Sequence, residues 1–151
     1  MAFYTGQYTA SVDNKGRVAI PARFRAIATG QGSEKFVLKK GMDNCIELYS
    51  EHDWKEAEPR FIPPKPMAGK DQRFLSRFTY SNVEQVIPDG QGRVVIPRKL
   101  LEHAFIEREV LFLGAGEKVE LWNEARYNQY LKDFGETPEQ VVERLQNEKS
   151  G

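Results

Sequence analysis

Sulfur and histidine are scarce in this chain of 151 residues. The single cysteine, Cys45, excludes an internal disulfide framework and any cysteine-based zinc cluster, and it points to a reducing compartment. Standing just before an apolar β segment, with no histidine at a motif spacing, it reads as a small core residue rather than a nucleophile. Excess charge is missing too. The 22 lysines and arginines balance 22 aspartates and glutamates, so no overall field draws the chain to nucleic acid or to a membrane. No run approaches the roughly 20 apolar residues that a spanning helix needs, and residues 1–7 lack a basic region followed by an apolar one. Neither export nor anchoring is expected, which leaves the cytoplasm as the expected place.

What is present is a repetition. Asp13-Asn14-Lys15-Gly16-Arg17-Val18-Ala19-Ile20-Pro21 returns 76 residues on as Asp89-Gly90-Gln91-Gly92-Arg93-Val94-Val95-Ile96-Pro97. Val37-Leu38, Gly41 and Ile46-Glu47-Leu48-Tyr49 return 73 residues on as Val110-Leu111, Gly114 and Val119-Glu120-Leu121-Trp122, which makes one copy three residues shorter between Ala28 and Val37. Units of about 70 residues bury too little surface to be stable alone, so the copies are expected to share one core. The two histidines, His52 and His103, occupy non-equivalent positions in the copies, which argues against a symmetric metal or acid–base site. Gly114-Ala115-Gly116 lacks the following helix and third glycine that phosphate cradling requires. No catalytic residue, metal ligand, cofactor or small-molecule substrate is expected.

Each copy reads as strand, tight turn, strand, short helix, strand, strand, helix. Alternation places Val18 and Ile20 on one face, with Arg17 and Ala19 on the other, and the same pattern runs through residues 93–96. Pro21 and Pro97 suit the first position of the helices expected over 22–28 and 98–104. Ser50 and Asn123 are helix caps, and Thr137-Pro138-Glu139-Gln140 is a capping box that opens a last, acid-rich helix. Between the copies, the prolines of residues 61–69 favour an extended connector, and Phe74, Leu75 and Phe78 follow at helical spacing opposite Arg73 and Arg77. The aromatic residues Phe24, Tyr49, Trp54, Phe74, Phe78, Trp122 and Tyr127 are expected mostly in the core rather than as stacking platforms.

The repeated turn carries the functional argument. Asp13, Gly16, Asp89 and Gly92 are hairpin chemistry: aspartate bonds its own backbone in turns, and glycine supplies positive φ. Nothing in a turn calls for Arg17 or Arg93. Each is either the partner of its turn aspartate or a planar fork of donors offered to a phosphate or a guanine edge.

Two Asp-x-x-Gly-Arg turns, each continuing as Val-x-Ile-Pro into a short helix with an Ile-Glu-Leu-Tyr or Val-Glu-Leu-Trp strand behind it, resemble the MraZ family of bacterial transcription regulators. One such turn alone would suggest only the broader AbrB-like class of swapped-hairpin DNA binders. The resemblance implies an α+β fold of two tandem AbrB-like swapped-hairpin β-barrel half-units with internal pseudo-twofold symmetry and flanking helices. The units are expected at residues 1–60 and 80–132, with connector and amphipathic helix at 61–79 and a terminal helix and acidic tail at 133–151. It also implies a nucleoid-associated repressor of the division and cell-wall gene cluster that binds double-stranded DNA carrying short direct repeats as a homo-oligomeric ring. In that reading Arg17 and Arg93 meet bases or phosphates, and Lys15, Arg23, Arg25, Arg98 and Lys99 position the backbone. The alternative is a ring-forming interaction scaffold with no specific DNA site, its arginines serving as interface ion pairs.

Overall fold

Residues 3–63 and 69–150 are described by the computed structural model of the chain. The first half runs β1 (Gln7–Ser11), β2 (Arg17–Ala19), α1 (Ala22–Gly30), β3 (Phe36–Lys40), β4 (Ile46–Ser50), α2 (Glu51–Phe61) and α3 (Lys70–Tyr80). The second half repeats that order as β5 (Val83–Val86), β6 (Arg93–Val95), α4 (Arg98–His103), β7 (Glu109–Gly114), β8 (Val119–Trp122), α5 (Glu124–Asp133) and α6 (Pro138–Ser150). Of the Pro-rich connector, Phe61 ends α2 and residues 64–68 lie outside the described residues.

The helix starts follow from their caps. Ser50 Oγ accepts from the Asp53 amide at 3.0 Å, and Asn123 Oδ1 accepts from the Arg126 amide at 3.2 Å. Thr137 and Gln140 satisfy each other's backbone N–H groups in a closed capping box. Pro21 and Pro97 stand one position earlier than expected, as N-caps with ψ of 135° and 142°. The extended ψ keeps each proline outside its helix while its carbonyl accepts the first helical N–H groups.

The turns close locally, but the strands beside them pair with the other copy. Asp13 N–H reaches Arg17 O at 3.0 Å and Asp89 N–H reaches Arg93 O at 2.9 Å. Yet β1 joins β7, β5 joins β3, and β2 joins β6, all antiparallel. A local hairpin would offer β1 only the three residues of β2, whereas β7 offers five pairs. The result is a six-stranded sheet in the order β1-β7-β8-β4-β3-β5, and a two-stranded ribbon of β2 with β6.

The sheet order reads the same when the copies are exchanged. Ile46↔Leu121 becomes Leu48↔Val119, and Arg17↔Val95 becomes Ala19↔Arg93; all four pairs are present. An axis of pseudo-twofold symmetry therefore runs through Val18↔Val94 in the ribbon and Glu47↔Glu120 in the sheet. Thr9↔Leu111 and Val37↔Gln85 are likewise equivalent, which aligns Val37 with Leu111 and corrects the expected match of Val37 to Val110. The second copy is two residues shorter ahead of β7. The third missing residue lies in the following hairpin, closed by Gly41 and Cys45 in one copy and by Ala115 and Lys118 in the other.

The main core fills the space between the inner sheet face and the ribbon. Phe36, Leu38, Ile46 and Leu48 meet Val110, Phe112, Val119 and Leu121 there, and Val18, Ile20, Val94, Ile96, Phe24 and Leu100 close it from the other side. The outer sheet face carries two matched clusters. Tyr49 and Trp54 meet edge to face at 5.4 Å and 61°, and their counterparts Trp122 and Tyr127 do so at 5.1 Å and 62°. Cys45 is buried in the second cluster, where burial first and nearby carboxylates next push its thiol up. Phe74 and Phe78 depart from expectation. They stack on each other at 6.2 Å but remain 64% and 59% exposed, because α3 turns this face away from the core.

Candidate nucleic-acid interface

In the first turn, one carboxylate organises everything. Asp13 Oδ1 accepts from the amides of Lys15 and Arg17, each at 2.9 Å, and Oδ2 accepts from Arg17 Nε at 2.7 Å. Asp89 repeats the arrangement with the amides of Gln91 and Arg93 at 2.8 and 2.9 Å and Arg93 Nε at 2.9 Å. Both carboxyls are held below the usual range, foremost by the backbone N–H of Arg17 or Arg93, with desolvation as the chief opposing effect. The glycines make the geometry possible, with φ of +79° at Gly16 and +77° at Gly92.

The ion pairs therefore exist, and each uses one edge of the guanidinium. Among the described residues nothing engages the outer η nitrogens of Arg17 or Arg93, so the aspartate fixes the fork without consuming it. The two forks also share one face. Arg17 lies opposite Val95 and Arg93 opposite Ala19 on the ribbon, while Val18 and Val94 point into the core. Two residues along and one strand across puts the arginine Cα atoms roughly 8 Å apart. Ala19 and Val95 lie between them, Val95 being 53% exposed. A two-stranded ribbon of this kind is narrow enough for the major groove, about 12 Å wide.

Crossed pairing also places each turn beside the other copy's helix. Ile96 N–H donates to Gly16 O at 2.9 Å, and Ile20 N–H donates to Gly92 O at 3.0 Å. The first turn thus rests on the start of α4 and the second on the start of α1.

Residues 3–78 and 80–148 match, as two consecutive copies, the family model described as "MraZ protein, putative antitoxin-like". The chain belongs to the MraZ family. A "Transcriptional regulator MraZ" of Caldanaerobacter subterraneus subsp. tengcongensis is 41% identical over 142 residues, spanning 94% of this chain and 96% of that protein. Proteins of the same name from Thermoanaerobacter pseudethanolicus and Acetivibrio thermocellus are each 39% identical, over 93% and 95% of this chain and 94% and 96% of theirs. Members of the MraZ family are named as regulators of transcription and not as enzymes. No helix among the described residues is long and apolar enough to cross a membrane.

The remaining basic residues of this MraZ chain are distributed unevenly. Lys15 is exposed at the first turn's tip, where the second turn has Gln91. Arg25 is half-buried beneath the second turn, its Nε donating to Ile20 O at 2.9 Å. Arg23 extends a long contact of 3.4 Å to the Tyr8 hydroxyl. Arg98 is exposed and pairs with Glu102 at 3.2 Å, and Lys99 Nζ donates to Ser81 O at 2.7 Å, tying α4 to the end of α3. Sequence reasoning overlooked Ala19 and Val95 as part of this surface. Strand alternation carried the signal, but only the β2–β6 pairing shows that both face outward between the arginines.

Proposed function

We propose that this chain is a DNA-binding regulator of transcription that reads the major groove with the paired arginines of its β2–β6 ribbon. The observation that carries the reading is the convergence of Arg17 and Arg93 on one exposed face, each held through Nε by its own aspartate with the η nitrogens open. That is the fork geometry suited to guanine O6 and N7, and the methyl groups of Ala19 and Val95 offer apolar contact to thymine. Arg23, Arg25, Arg98 and Lys99 supply backbone charge, Lys15 stands at the tip of the first turn, and Asp13, Gly16, Asp89 and Gly92 aim the turns. The relatives named as MraZ transcriptional regulators support the regulatory role.

The finer reading is a nucleoid-associated repressor, built from two AbrB-like swapped-hairpin units, that forms a ring over direct repeats ahead of the division and cell-wall genes. Crossed pairing of the copies supports the swapped-hairpin part. A chain without net charge is expected to bind one short repeat weakly, and tethering units in a ring raises avidity by roughly 10²–10⁴ when site spacing matches. The test is anisotropy titration with the chain's own upstream DNA carrying one, two or three repeats, and with about half a helical turn, roughly 5 base pairs, inserted between two of them. Affinity is expected to climb with repeat number and to drop on insertion. Equal affinity for all probes would favour the scaffold reading.

A further inference from the structure

The pseudo-twofold axis makes one difference between the turns conspicuous. Beneath Gly16 stands Leu101: a Cβ on Gly16 would lie 3.7 Å from Leu101 Cδ1 and 3.0 Å from Ile96 O. The symmetry-equivalent position, 76 residues earlier, is Arg25, and a Cβ on Gly92 would lie 2.5 Å from its Cζ and Nε. One turn rests on an apolar side chain and the other on a guanidinium. The tips differ in the opposite sense, with Lys15 in the first turn and Gln91 in the second.

Arg25 is placed to hold an anion rather than a carboxylate of its own chain. Its Nε is spent on Ile20 O, and among the described residues its η nitrogens have no hydrogen-bond partner and no ion pair within 4.0 Å. The cleft beside it is lined by Thr29, Ser33, Glu34 and Asp89. Asp89 is already engaged on both oxygens, and Glu34 is exposed. A half-buried guanidinium with its η nitrogens open, set beneath a turn rather than at its tip, is better suited to a phosphate than to a base edge.

We propose that the two turns of one chain add different contacts around the arginine pair: Arg25 gives the second turn a phosphate anchor, while Lys15, at the tip of the first turn over the apolar Leu101, adds a base-edge contact. This rests on the DNA-binding reading above. Arg25 acts here as a phosphate contact and as the support that positions Gly92, so the side chain has two separable duties. Exchanging residues between symmetry-equivalent sites separates the roles with little risk to the fold, since each replacement is the one the chain already tolerates at the other turn.

The experiment compares Arg25→Leu, Arg25→Lys and Lys15→Gln with the unaltered chain on upstream DNA and on a scrambled duplex, at four salt concentrations, with thermal unfolding as a fold check. Arg25→Leu is expected to weaken both duplexes by the same factor and to reduce the log–log salt slope by about 0.9 for each engaged second turn. Arg25→Lys should keep most of that slope, and Lys15→Gln should leave the slope nearly intact while the ratio of specific to scrambled affinity falls roughly tenfold. The proposal is overturned if Arg25→Leu lowers that ratio with an unchanged slope, if it changes neither, or if the leucine and lysine variants lose equally, which would reduce Arg25 to a wedge. Loss of effect in Arg17→Ala and Arg93→Ala as well would instead remove the DNA-binding reading itself.

Discussion

At the scale of single residues, Asp13 and Asp89 each combine an acceptor for two backbone amides with an anchor for an arginine Nε. The amide bonds act on the turn, the Nε bond on the reader, so Asp13→Asn is expected to loosen both. Because the folded carboxyls titrate below their unfolded value of about 3.9, the stabilisation they contribute is present above that value and is lost as pH falls through the lowered folded one. Turn order and DNA binding should therefore be insensitive to this pair of groups between about pH 5 and 8, and an NMR titration of the turn amides should show them moving only under more acidic conditions. The supporting glycines differ in what an added methyl group meets. Gly16→Ala forces a left-handed alanine against the Ile96 carbonyl and is expected to cost roughly 2 kcal/mol by urea unfolding. Gly92→Ala meets the Arg25 guanidinium, which can swing aside, so its cost should be nearer about 1 kcal/mol while the anchor beneath the turn is displaced.

At the scale of elements, the ribbon joins function to fold. Val18 and Val94 sit on the pseudo-twofold axis beneath the arginines, and Val18→Ala should cost roughly 2 kcal/mol in thermal or urea unfolding by opening a cavity where the copies meet. Much of each element was legible locally. The Val18 and Ile20 alternation, the Asp and Gly chemistry of the turns, and the Ser50, Asn123 and Thr137 caps are all short-range signals, and each agrees with the structure. Strand partners were not legible in this way. Nothing within residues 7–20 says that β1 pairs with β7 rather than with β2, because that choice depends on how many bonds a distant strand offers. The one-residue shift in the hairpin after β3 was hidden for the same reason: Val37-Leu38 matches Val110-Leu111 by letter, while register and burial align it with Leu111-Phe112. Arg25 was visible as a basic residue, but its place beneath the opposite copy's glycine became visible only through the crossed pairing.

At the scale of the whole molecule, symmetry creates a liability on the outer sheet face that Lys118 relieves, with Lys39 opposite Glu47 on the neighbouring strand. Glu47 and its counterpart Glu120 are directly opposed, and Glu47 is only 3% exposed. Lys118 Nζ lies 3.2 Å from Glu47 and 4.0 Å from Glu120, and Tyr49 and Trp122 donate to the remaining oxygens. Lys118→Met should therefore destabilise the chain by roughly 1–2 kcal/mol, because it removes the cation between two facing carboxylates and leaves them Lys39, the cross-strand partner of Glu47. The same symmetry sets two arginines on one ribbon, and this convergence is the centre of the functional account. The most direct measurement is a double-mutant cycle in DNA binding: the unaltered chain, Arg17→Ala, Arg93→Ala and the pair, each titrated against upstream DNA with unfolding temperature and particle mass recorded in parallel. Each single change is expected to weaken specific binding roughly 5- to 150-fold, with the fold and mass retained, and the pair is expected to bind specific and scrambled duplexes alike. Operator affinity equal to that of the unaltered chain in the double variant would contradict the account and leave both arginines as braces of their own turns.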